Sequence, residues 1–135
     1  MTMTNELEIT RRQTPIYRAL IRSEQGEYFD PETDLATATE LEAEGIDAPP
    51  VGYTVYRFAD PFAVETGDGA PVVGFEDVPI APEEAFVDGF DFNFQFAPTR
   101  RVAFPFAEPG LYAVDFAVYP KVGPPIVFRV PTTVR

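Results

Sequence analysis

The sequence predicts an all-β fold: an antiparallel sandwich or barrel of about seven to eight strands. One domain is expected over residues 15–135, preceded by an N-terminal arm or edge strand at residues 1–14. Three observations point there. Fifteen prolines spread along 135 residues leave few stretches usable as a helix interior, because proline lacks an amide donor and clashes with the preceding turn. Several runs alternate apolar and polar residues with period two, as half-buried strands do. A hydrophobic content of 45%, with 14% aromatic residues, supplies a core for a chain of single-domain length.

Taken in order, the polar lead through Leu7 and Ile9 to Pro15 is too short and interrupted for a stable helix, hence the arm or edge strand. Residues 16–22 follow, with Arg18 and Arg22 set against Tyr17, Ala19 and Ile21, the pattern of a half-buried strand. Residues 23–27 turn the chain. Over 30–44 a helix and a strand compete: Asp30 as N-cap, Pro31 in the first turn and Gly45 as the stop favour the helix. Leu35, Thr37 and Thr39, alternating with other residues, favour the strand. Tyr53–Phe58 is β-branched and aromatic, and reads as a strand. Phe62–Val64 and Val72–Phe75 read as a hairpin about the turn 66–69, while Pro71, Pro79 and Pro82 belong at strand edges or ends.

Phe90, Phe92, Phe94 and Phe96 are spaced by two and are expected on one buried face of a strand, with Asp91, Asn93 and Gln95 facing water; a partner-binding face is the alternative. Val102–Phe106 is expected to be the next short strand. Tyr112, Val114, Phe116 and Val118 then share one face of a strand, and Ile126, Phe128 and Val130 share one face of the next, with Arg129 opposite and a loop at 120–124 between.

Glu108-x-Gly110-x-Tyr112-x-Val114 resembles the D-x-G-x-Y-x-C pattern of immunoglobulin-like sandwiches. The resemblance implies a tyrosine corner, with the Tyr112 hydroxyl bonded back to the preceding loop, in a domain lacking the inter-sheet disulfide because Val114 stands where the cysteine would be. Glu108 replaces the usual Asp. The architecture hosts many activities, so no function follows from it.

Function is constrained mainly by what is missing. Without Cys, His or Trp, and with Ser23 the only serine, the usual catalytic triads and the dominant transition-metal ligands have no residues to form from. No phosphate-binding glycine loop occurs. Plentiful carboxylates leave two-carboxylate glycoside chemistry open by residue type, but nothing singles out an acid and a base. Asp30, Glu32 and Asp34 have the odd-position spacing of a calcium loop, yet Leu35 and Leu41 occupy positions where an EF-hand needs glycine and glutamate. A solvated loop is the expected role for the three acids. No cofactor is called for, and the sequence reads as non-enzymatic.

The net charge of −12 divides unevenly. Residues 1–22 carry four cations against two acids, residues 23–99 carry Arg57 against 18 acids, and residues 100–135 carry five cations against two acids. The pattern fits either neutralisation inside one subunit or a basic terminal segment of one copy lying on the acidic middle of another. In the second case Arg11, Arg12, Arg100 and Arg101 are the interaction residues. Acidity disfavours nucleic acid, and no signal peptide or membrane span is evident. A small, acidic, cysteine-free and proline-rich β domain with a leading arm is similar to bacteriophage accessory virion proteins, such as capsid decoration and tail-associated modules. That resemblance implies a homo-oligomer bound to capsid or tail protein, located in a virion or the cytoplasm. A monomeric module binding carbohydrate or protein is the alternative.

Overall fold

The computed structural model describes residues 7–9, 15–23, 25–59, 69–97, 105–106 and 108–135. Its elements are β1 (Leu7–Ile9), β2 (Tyr17–Ala19), α1 (Ala38–Ala43), β3 (Val51–Phe58), β4 (Ala70–Pro71), β5 (Val78–Pro79), α2 (Pro82–Ala85), β6 (Phe94–Phe96), β7 (Gly110–Val118) and β8 (Ile126–Val134). The fold is an all-β sandwich. A six-stranded sheet runs β1-β8-β7-β3-β4, with β5 also on β3, and packs against a two-stranded sheet of β2 and β6. Among the described residues no helix is long and apolar enough to cross a membrane.

The alternation in β7 and β8 produces the expected hairpin, in which Val114 faces Val130 and Phe116 faces Phe128. The connecting loop spans residues 119–125, wider than expected at both ends, because pairing stops at Val118↔Ile126. Phe116 lies at the centre of the core, with ring centroids 5.4 Å from Tyr17, 5.3 Å from Phe94 and 5.2 Å from Phe128. Rings at these spacings add about 0.5–1.5 kcal/mol per pair beyond their area burial. The two sheets are thus joined through Tyr17, Phe94 and Phe96 of the small sheet on Tyr53, Phe116 and Phe128 of the large one.

Within the segment expected to be an arm or edge strand, Leu7–Ile9 forms an edge strand parallel to the end of β8. Pro71 and Pro79 sit in the short outer strands β4 and β5, where a missing donor costs no central ladder bond. Pro82 opens the one-turn helix α2.

Three expectations are corrected. Over 30–44 the helix is confined to Ala38–Ala43, and its N-cap is Thr37 rather than Asp30. Thr37 accepts from the Glu40 amide while Glu40 accepts from the Thr37 amide, so two otherwise orphaned donors are satisfied at that point. Asp30 instead opens a turn, its carbonyl accepting from Thr33 and Asp34, and Leu35 forms a bridge to Pro120. Gly45 does end the helix, at φ +77°.

The four phenylalanines do not share a buried face. Phe94 is fully buried but Phe90 is 86% exposed. A bridge between Phe86 and Phe94 and a bond from the Val87 amide to the Asn93 carbonyl close a loop with Phe90 at its apex. Gly89 permits the tight turn, since a Cβ there would stand 2.4 Å from the Phe92 carbonyl oxygen. Asn93, expected to face water, is buried. Its side chain accepts from the Ile21 amide at 2.7 Å and donates to the Ile21 carbonyl at 2.8 Å, a carbonyl that also accepts from the Phe29 amide.

The last correction concerns the end of the expected strand 102–106, of which residues 102–104 lie outside the described residues. Pro105 and Phe106 lie in a turn, and the Phe106 ring packs edge-on against Tyr112 at 5.3 Å. The hairpin turn 66–68 and residues 62–64 fall outside the described residues. The return segment pairs through Ala70–Pro71, and Val72 and Phe75 bond Val55 across a turn.

Candidate functional site

Arg11, Arg12, Arg100 and Arg101 lie outside the described residues. The other cations have partners within the chain. Arg129 grips Asp115 with two bonds, 2.6 and 2.8 Å, and lies over the rings of Tyr56 and Phe58. Arg57 pairs with Glu108 at 2.7 Å and also bonds the Pro109 carbonyl. Lys121 approaches Glu40 at 3.8 Å. Arg18 donates to Gln95 and covers Phe92, and Arg22 donates to the Gly26 carbonyl and covers Tyr28. Hydrogen bonding to the paired carboxylate raises the pKa of both Arg57 and Arg129.

The Tyr112 hydroxyl donates to the Glu108 carbonyl at 3.0 Å, the back-bond that the Glu-Pro-Gly-Leu-Tyr run implies. Burial raises the pKa of Tyr112, and it raises those of Tyr17, Tyr53 and Tyr56 likewise. For Tyr17 burial outweighs the opposing hydrogen bond to Thr132. Tyr17 and Thr132 form a buried polar chain, hydroxyl to hydroxyl at 2.9 Å and on to the Val130 carbonyl.

The carboxylates with calcium-like spacing serve their own backbone. Asp30 accepts from the Glu32 amide and Asp34 from the Asp30 amide, closing the turn on itself. Among the described residues, no three acidic side chains are placed to hold a metal ion. Ser23 is a turn residue, its carbonyl accepting from Gly26 and its amide donating to Glu27.

The surface with most chemical character is one end of the sandwich, where three loops meet: the 22–28 hairpin, the 87–93 loop and the 119–125 loop. Contacts link the first two, since Arg22 covers the Tyr28 ring and the Tyr28 hydroxyl donates to the Phe90 carbonyl at 3.4 Å. Two clefts flank Phe29. One, of about 450 Å³, has an acidic rim of Asp30, Glu32 and Asp88 beside Tyr28 and Phe86. The other, of about 380 Å³, is lined by Pro120, Val122, Pro124, Pro125 and Ile126, with Arg22, Lys121 and Asp34 at its edge. Tyr28, Phe90 and Val122 are exposed here.

A smaller groove of about 150 Å³ lies on the outer face of the large sheet, with Gly52, Thr54 and Ala117 in its lining between Tyr56 and Tyr119. Sequence reasoning missed the loop end because it placed Phe90 in the core. The Asp88-Gly89 dipeptide, a strong turn signal, could have found it. The chain matches no protein-family model, no curated protein and no solved structure.

Proposed function

We propose that this chain is a non-enzymatic structural or assembly protein that works in multiple copies attached to a larger surface, with a bacteriophage virion accessory role such as capsid decoration as its setting. One observation carries the reading. Arg57, Lys121 and Arg129 are paired with carboxylates within the chain, and Arg18 and Arg22 donate to neutral acceptors, while Glu27, Glu32, Asp88 and Asp91 have no cation partner among the described residues and share the loop end with exposed apolar side chains. Unneutralised carboxylates beside exposed rings favour a protein partner that brings positive charge and apolar surface together. In this reading Arg11, Arg12, Arg100 and Arg101 supply positive charge to contacts between copies or with a capsid or tail protein. Many such weak contacts on a repeating surface sum to high avidity.

Sedimentation velocity across protein concentration and salt tests the reading. The expected result is concentration-dependent association that weakens as salt rises from about 0.05 to about 0.5 M. A species that stays monomeric at every concentration and salt overturns it. The outer groove between Tyr56 and Tyr119 favours a second reading, a monomeric module binding carbohydrate or protein, since aromatic rings beside polar groups suit sugar faces.

A further inference from the structure

The 87–93 loop and the apolar cleft differ in shape and charge. Phe90 stands at the loop apex, 86% exposed, with Asp88 and Asp91 on either side in sequence. Nothing in the fold requires a phenyl ring at this position. The cleft of about 380 Å³ is concave, walled by Val122, Pro124, Pro125 and Ile126, and large enough to receive a benzyl group. Arg22 and Lys121 stand at its edge, with Asp34 the one acid in its lining. The knob is flanked by two carboxylates, whereas at the cleft Lys121 is paired with Glu40 and Arg22 donates only to a neutral carbonyl, which leaves the guanidinium charge of Arg22 for a partner.

Both features belong to the same end of the molecule, tied together through Arg22, Tyr28 and the Phe90 carbonyl. A surface carrying a knob and its complementary cleft side by side can pair with a copy of itself about a two-fold axis, each copy giving one and receiving one. Resting on the multi-copy reading above, we propose that the loop end is this self-complementary surface. Phe90 of one copy seats in the cleft below Val122 of a second copy, and Asp88 and Asp91 meet Arg22 across the contact. A ring in the cleft centre with charges at its rim has the arrangement of an interface anchor, where one aromatic carries most of the affinity.

The test is sedimentation velocity on the full chain, with Phe90→Ser, Val122→Glu and their equimolar mixture beside the parent. Both substituted side chains are exposed, at 86% and 75%, so folding is preserved, and matching melting curves verify it. Each variant alone is expected to self-associate about 30-fold or more weakly than the parent. The mixture is expected to associate more tightly than either variant alone, because the Val122→Glu copy still offers Phe90 and the Phe90→Ser copy still offers an open cleft. If the parent associates and Phe90→Ser associates equally well, the knob-and-cleft contact is overturned while the multi-copy reading stands. If the parent is monomeric throughout, both fall together.

Discussion

Phe90 and Asn93 exchange the environments that their residue types suggest. The phenyl ring projects into water, while the amide is buried and completes the hydrogen bonding of the Ile21 backbone. Without it the Ile21 carbonyl keeps its bond from the Phe29 amide, but the Ile21 amide loses its partner, and a buried donor left unpaired costs about 1–3 kcal/mol. Asn93→Leu is therefore expected to destabilise the fold by about 1–3 kcal/mol in urea unfolding, whereas Phe90→Ser should change it by less than about 0.5 kcal/mol. Equal losses for the two would mean that the ring is buried in solution. The reversal could not be read from the spacing of the phenylalanines. Period-two alternation fixes which side chains share a face only while the backbone stays extended, and Gly89 breaks that condition by letting the chain fold back against Phe92. At Tyr17, Ala19 and Ile21 the backbone does stay extended, and the same pattern gave the correct buried face.

Elements were legible in proportion to the length of their own alternating or β-branched runs. β7 and β8 lie next to each other in sequence and in the sheet, so their two alternations and the intervening prolines and glycine sufficed to specify the hairpin. β3 was equally clear from its β-branched and aromatic run. The short elements were not: β4 and β5 have two residues each, and their positions depend on β3 rather than on their own sequences. Residues 30–44 were ambiguous because the stretch holds a turn, a bridge and a helix in succession. The Thr37-x-x-Glu40 box was present in the sequence but competed with an attractive Asp-Pro start seven residues earlier. Thr37→Ala should lower stability by about 1 kcal/mol, measured by thermal or urea unfolding, whereas Thr37→Ser should be nearly neutral. If both variants match the parent, the cap contributes nothing to stability.

On the scale of the whole molecule, burial of tyrosines couples the fold to alkaline pH. Tyr17, Tyr53, Tyr56 and Tyr112 all hold their protons more tightly in the folded state than at the ordinary value of 10.0. Their contribution to stability is complete below that value and declines as pH rises above it, because the unfolded chain ionises first. Unfolding free energy is thus expected to be insensitive to these groups at neutral pH and to fall steeply above about pH 10. Tyr17→Phe should make that fall shallower, while costing about 0.5–1.5 kcal/mol at pH 7 through loss of the bond to Thr132. A profile unchanged by the substitution would remove Tyr17 from the account. The charge division was legible throughout, but the candidate site depends on which loops the fold brings to one end, and that arises from contacts distant in sequence.

The order of strands in the large sheet also constrains how it can be assembled. Its middle is occupied by β7 and β8, which leave the ribosome after everything they pair with, while β1 and β3 sit on either side of them. Vectorial folding can therefore build only the β3–β4–β5 side of this sheet. β3 can take up β4 and β5 as they emerge, but its other edge and the whole of β1 wait until the β7–β8 hairpin arrives to receive them, and closure of the N-terminal edge against Thr132–Val134 comes with its final residues.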